Sequence, residues 1–73
     1  MKIDRHIGDK LKKLRRALKV PQGFLAKYIG ISEHGVSLLE RGERPWKPSY
    51  MYRLSELLNV DVSYFYKDFN QND

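Results

Sequence analysis

The twenty residues QGFLAKYIGISEHGVSLLER, Gln22 to Arg41, decide the fold. Leu25, Ala26 and Ile29 share one face of a short helix, and Gly30 ends it by supplying a left-handed turn. Ser32 is placed to cap a further helix through its hydroxyl, with Val36 and Leu39 as the inward positions of that helix. Ala26 is small enough for the two helices to cross closely, and only three residues, Gly30, Ile31 and Ser32, separate them. Leu25, Ala26, Ile29, Gly30, Ile31, Val36 and Leu39 agree in type at fixed spacing, which generic helix packing does not produce. The stretch therefore reads as two helices locked by a tight turn.

Upstream, Ile7, Leu11, Leu14 and Leu18 recur at i, i+4, i+7 and i+11, one narrow stripe at about 100° per residue. The spacing predicts a first helix over residues 5–19. Lys12, Lys13 and Arg16 lie on its opposite face, whereas Arg15 sits at the edge of the apolar stripe, about 60° from Leu18, where it meets the core side. Pro21 ends that helix because the residue before a proline is pushed out of the α region. Downstream, Gly42 closes the third helix and Arg44 to Pro48 form a loop around Trp46. Met51, Leu54, Leu57 and Leu58 give a fourth helix ending at Asn59. Asp61 can cap a last short helix carrying Val62, Phe65, Tyr66 and Phe69 at i, i+3, i+4 and i+7. No stretch alternates as a strand does. The expectation is an all-α, compact five-helix domain over residues 1–69, with the helix-turn-helix at helices 2 and 3 and a disordered tail at residues 70–73.

Seventy-three residues allow one small core, and no cysteine is present to staple it or to ligate a metal. That composition fits a reducing compartment, and cytoplasm is the expected location. No apolar run approaches the roughly 20 residues of a membrane span, and charges alternate through Met1 to Asp9 where a signal peptide would be apolar. Fourteen Lys and Arg against nine Asp and Glu give a net charge of +5. Residues 1–36 carry nine basic and three acidic side chains, and residues 37–73 five and six. Such a sided field attracts polyanions, although a solvated helix face gives the same imbalance.

Gln22, Leu25-Ala26, Gly30, Ser32, Val36-Ser37 and Glu40-Arg41-Gly42, followed by a helix ending Leu57-Leu58-Asn59-Val60, resemble the helix-turn-helix regulators of the phage-repressor and Cro type, the xenobiotic-response-element family. The likeness runs from about Ile7 to Phe65. It implies that Glu40 pairs with an arginine of the first helix, matched here by Arg15, and that Gln22 contacts the DNA backbone or a base beside the recognition helix. The residues agree with the ion pair, since Glu40 lies about 40° from Val36 and so at the rim of the core. Pro21 departs from the hydroxyl cap usual in the family, Ser55 from alanine and Asn59 from glycine. Gly23 and Gly35 are poor helix formers, each costing roughly 0.8 to 1 kcal/mol relative to alanine.

With Val36 inward, Ser37, Arg41, His34 and Leu38 face away from the core and Glu33 lies at the N-terminal edge. The third helix, about Ser32 to Arg41, would thus read bases from the major groove through Glu33, His34, Ser37 and Leu38, with Gln22 beside them. Glu33 suits cytosine N4, Ser37 donates or accepts, and Leu38 offers an apolar contact to a thymine methyl. Glu33 serves equally well as a first-turn acid on the helix dipole, and Leu38 can instead pack under the Trp46 loop. Arg41, Arg44, Lys47 and Lys27 are assigned to phosphates, and Lys12, Lys13 and Arg16 to the long-range field. Tyr28, Tyr50, Tyr52, Tyr64 and Tyr66 lie on three separate helices, which favours core and interface packing over stacking on single-stranded bases. Tyr64, Tyr66 and Phe69 form the expected two-fold dimer interface, with folding back of Tyr66 and Phe69 over the first helix and Ile3 as the alternative.

His6 and His34 are too few and too far apart for a metal site, and no serine or histidine forms a nucleophile with an oriented base. The chain reads as a non-enzymatic, cofactor-free regulator, a repressor acting as a homodimer on double-stranded DNA, with no membrane role. An antitoxin with a toxin partner or a restriction controller shares this DNA-binding fold, and a protein-interaction module that has lost DNA is the reading from another class.

Overall fold

Met1 opens the first element of the computed structural model, which describes residues 1–70 of the chain. Four α-helices follow one another, α1 Lys2–Ala17, α2 Gln22–Ile29, α3 Glu33–Glu40 and α4 Pro48–Leu58, and a 3₁₀ turn, Val62–Tyr66, closes the described order. The expectation of five helices is corrected in its last member. Five residues capped by the Asp61 carboxylate on Ser63 N–H, with i→i+3 bonds from Tyr64 N–H to Asp61 C=O and from Lys67 N–H to Tyr64 C=O, make a tight 3₁₀ turn. The chain then leaves through Asp68 at φ +66°, so Phe69 is not on a helix at all. Within the tail expected at residues 70–73, Asn70 is exposed and 71–73 lie outside the described residues.

All four helices end alike. A residue with φ between +57° and +77°, namely Lys19, Gly30, Gly42 or Asn59, follows the last helical turn. The next N–H in each case, of Val20, Ile31, Glu43 and Val60, reaches back to the carbonyl of Arg15, Ala26, Leu38 and Ser55 at 2.9–3.0 Å. This is the Schellman closure, in which a left-handed residue satisfies carbonyls that the helix itself leaves free. Gly30, Gly42 and Asn59 announce it by residue type. Lys19 does not, so the helix expected over residues 5–19 runs instead over Lys2–Ala17, and Leu18 is half exposed, off the core stripe in which it was expected.

Leu11, Leu25, Val36, Leu39, Leu54 and Phe65 are fully buried. Each such side chain contributes roughly 1.5–3 kcal/mol from leaving water. α3 packs on both α1 and α2, α4 covers α2, and the 3₁₀ turn rests on α1 and α4. α1 and α3 meet backbone to backbone at Gly8, where a Cβ would run into the Leu39 carbonyl oxygen and stand 2.7 Å from that of Glu40. Trp46, on the loop expected between Arg44 and Pro48, turns its side chain into the core: its ring stacks on Phe65 at 6.3 Å and its indole N–H donates to the Leu39 carbonyl at 3.2 Å. The Asp4 carboxylate accepts from Trp46 N–H at 3.0 Å, so the loop after α3 is tied to the first turn of α1.

Candidate nucleic-acid interface

The outer surface of α3 is set by what holds its two ends. At the start, Ser32 Oγ accepts from Gly35 N–H at 3.0 Å, satisfying one of the free donors of the first turn. At the far end, Glu40 is buried and accepts three charge-matched or polar hydrogen bonds. Arg15 donates from Nε to Oε2 at 2.5 Å and from Nη2 to Oε1 at 3.0 Å, and Gln22 Nε2 donates to Oε1 at 2.9 Å. A third donor of Arg15, Nη1, reaches the Val20 carbonyl at 3.1 Å. The Glu40 carboxylate thus joins the end of α3 to Arg15 at the end of α1 and to Gln22 at the start of α2, which fixes the two helices of the turn against each other. Gln22, expected against DNA, has its amide nitrogen in this network.

His34 and Glu33 are exposed on the first turn of α3, whereas Ser37 and Leu38 are half-buried along its flanks. Leu38 is therefore not the freely exposed leucine expected from the helical wheel. Glu33 leans towards the first turn of α2, where a Cβ on Gly23 would stand 3.3 Å from its Oε2. That proximity gives Gly23 a purpose beyond its poor helix propensity: it leaves the carboxylate room beside the positive end of α2. Arg41 is exposed and its Nε pairs with Glu43 Oε2 at 3.2 Å. Lys27 is exposed in the last turn of α2, and Lys47 is exposed ahead of α4. Arg44 is half-buried, with Nη2 donating to Tyr50 Oη at 3.2 Å.

The expected surface cluster of three aromatics is corrected to one exposed ring. Tyr64 is half-buried, edge-on to Phe65 at 5.7 Å, with Lys10 Nζ 5.5 Å from its ring centre. Phe69 folds back to 5.2 Å from the His6 ring, whose Nε2 lies 2.7 Å from the Lys67 carbonyl. Only Tyr66 stays exposed, near the equally exposed Val62. Of the five tyrosines Tyr50 is in the core and Tyr64 packs half-buried against it, whereas Tyr28 and Tyr52 are exposed. Among the described residues no group of three or more His, Cys, Asp or Glu could hold a metal ion, and no helix is long and apolar enough to cross a membrane. Gly8, Lys19, Trp46 and the Arg44–Tyr50 contact are the features that the linear sequence hid; a glycine inside the apolar stripe of α1 was the one available signal.

A capped helix with outward polar side chains, locked at the tight turn to a preceding helix, defines a helix-turn-helix DNA-binding regulator. The chain belongs to the Cro/C1-type helix-turn-helix family, whose profile, described as helix-turn-helix, matches residues 11–65. It is 32% identical over 71 residues, 97% of its length, to an uncharacterized transcriptional regulator in the ATPase CF(0) region of Rhodospirillum rubrum, of which it covers 66%. It is also 32% identical over 66 residues to an uncharacterized HTH-type transcriptional regulator of Sinorhizobium medicae, of which it covers 48%. The chain thus spans 48–66% of the length of these relatives. Among solved structures it resembles the restriction-modification controller protein C.AhdI of Aeromonas hydrophila, with a TM-score of 0.76 and 26% identity over 85% of this chain and 94% of the controller.

Proposed function

We propose that the chain is a homodimeric, cytoplasmic repressor that binds double-stranded DNA sequence-specifically with α3 in the major groove. The observation that carries this reading is the Arg15–Glu40–Gln22 network, which holds α2 and α3 as one rigid unit while His34 and Glu33 stay exposed on the first turn of α3. Glu33 accepts from cytosine N4, Ser37 reads either a donor or an acceptor, and Leu38 meets a thymine methyl with its exposed edge. Arg41, Arg44, Lys47 and Lys27 take phosphates. Gln22, at the start of α2, donates from its amide nitrogen to Glu40 and contacts a base or the DNA backbone beside the recognition helix. Dimerisation runs through Val62 to Phe69, with Tyr66 as its exposed centre.

Selection of binding duplexes from a random pool, followed by titration at several salt concentrations, tests the reading. The logarithm of affinity should fall linearly with that of salt, as counterion release requires. Ser37→Ala and His34→Ala should change the preferred sequence at roughly 1–3 kcal/mol per lost base contact, while Lys27→Ala and Lys47→Ala should weaken every duplex alike. A Ser37 change that weakened selected and random duplexes equally would refute the assigned face. The likeness to the controller supports a second, narrower reading, control of restriction–modification genes. A selected site lying ahead of a restriction gene next to this one would favour it.

A further inference from the structure

Arg44 comes from the loop after α3, yet its guanidinium lies against the first turn of that helix. A Cβ on Gly35 would stand 2.6 Å from Arg44 Nη1, so any residue but glycine there would push the side chain away. On its other side is Tyr50, from the first turn of α4: the hydroxyl accepts from Nη2 at 3.2 Å and the ring centre is 5.8 Å from the guanidinium carbon. Lys47 Nζ lies 5.7 Å from the centre of the same ring. Tyr50 itself is buried in the core. Among the described residues, the Tyr50 hydroxyl is the hydrogen-bond partner Arg44 has, which leaves most of its five N–H groups for a ligand.

We infer that Gly35, Tyr50 and Lys47 build a preformed phosphate socket around Arg44, on the flank of the recognition helix that also carries Leu38. The inference rests on the DNA-binding reading and deepens it: Arg44 grips one backbone phosphate bidentately, with the Lys47 ammonium beside it, and the geometry is set before DNA arrives. Gly35 and Leu38 are three residues apart on one helical flank, so a phosphate held at Gly35 sets how deeply Leu38 enters the groove. Tyr50 and Gly35 are positioning residues. A planar fork held flat suits a phosphate oxygen pair better than a free ammonium does, and holding the side chain beforehand lowers the cost of ordering it on binding.

The test is a mutant cycle read by fluorescence anisotropy on a labelled duplex selected by the wild-type chain and on a random duplex. Tyr50→Phe keeps the buried ring and removes the hydroxyl; it should weaken both duplexes about threefold to tenfold and leave the salt slope unchanged, because the charge remains. Arg44→Ala should weaken both and lower the slope by about one. Arg44→Lys should keep the slope and lose affinity as Tyr50→Phe does. Gly35→Ala, with folding checked by its melting curve, should match Arg44→Ala in loss and add nothing in the Arg44→Ala background. Tyr50→Phe binding like wild type, or Gly35→Ala and Arg44→Ala losses that multiply, would overturn the socket while leaving DNA binding intact. A wild-type chain that binds no duplex would overturn the DNA reading and the socket together.

Discussion

Replacing Arg15 by methionine keeps the length of the side chain along α1 but removes its charge and its donors. The structure sets the cost. Arg15 is 13% exposed and Glu40 2%, so the pair is almost dry on the acid side. The change strips two N–H donors from the Glu40 carboxylate and one from the Val20 carbonyl, leaving Gln22 as the remaining partner. Removing one partner of a buried pair costs about 3–5 kcal/mol, because the surviving charge stays desolvated. The partial exposure of Arg15 puts this case at the lower end, about 3 kcal/mol. A domain of this size has about 4–11 kcal/mol in total, and 1 kcal/mol moves its melting temperature by about 4–8 °C. Arg15→Met should therefore lower the midpoint by about 12–24 °C in a thermal melt followed by far-ultraviolet circular dichroism. Arg15→Met combined with Glu40→Leu should recover most of that loss, since a hydrophobic pair of similar volume replaces a buried ion pair at little cost. A loss below about 1 kcal/mol in the single variant would mean that the pair behaves as a surface salt bridge. A double variant no better than the single one would mean that the stranded charge is not the source of the loss.

Three glycines rank by what a methyl group would meet. Gly30→Ala finds open space and should cost only the left-handed conformation, about 1–2 kcal/mol; Gly42→Ala adds a Cβ 2.5 Å from Arg5 Cα and should cost more. Gly8→Ala has no backbone penalty but drives α1 off the Leu39 and Glu40 carbonyls, and at about 3 kcal/mol or more it should be the most damaging; urea melts that reversed this order would refute the close α1–α3 crossing. Lys19→Gly, at φ +59°, should raise stability by about 0.5–1 kcal/mol, the left-handed strain relieved less the extra freedom of glycine in the unfolded chain. A fall in stability would mean that the Lys19 side chain makes a stabilising contact. Asp61 accepts from Ser63, first through the backbone N–H and then through the side chain, and this holds its carboxyl below the ordinary value. Its contribution is present above the unfolded value of about 4 and fades as pH falls through the folded one, so Asp61→Asn should flatten the acid limb of a stability–pH profile. An unchanged limb would mean that the cap does not form in solution.

Order along the chain was largely legible, because each helix carries its own apolar period and three of the four carry a glycine or asparagine stop. The ion pair between Arg15 and Glu40 was also accessible, since both side chains sit at the rim of their own helical stripes and the family resemblance joined them. What periodicity cannot see is a contact whose parts belong to different elements. Trp46 does lie on the loop that two prolines mark, but its ring enters the slot between α3 and the 3₁₀ turn, with an indole donor facing the Leu39 carbonyl. Lys19 occupies a position where only backbone geometry matters, and its side chain says nothing of its φ.

The base-reading surface divides along the same line. A helical wheel ranks the residues of α3 by angle from the core of that helix alone, and on that measure Leu38 is fully exposed. Its neighbours on the same flank depend on whether the following loop passes across it, and here the loop does pass, with Arg44 lying over Gly35 and fastened to Tyr50. The opposite flank is bounded by α2, where Glu33 leans towards Gly23. Both glycines, costly as helix residues, make room for a charged side chain from another segment or turn. The recognition helix is thus not a bare cylinder offering one face but a strip between two placed charges, an acid at its first turn and a guanidinium on its far flank. Specificity in such an arrangement depends on where that strip is held as much as on which side chains it carries. A change at Gly35 should accordingly alter DNA binding although the residue has no side chain with which to touch a base.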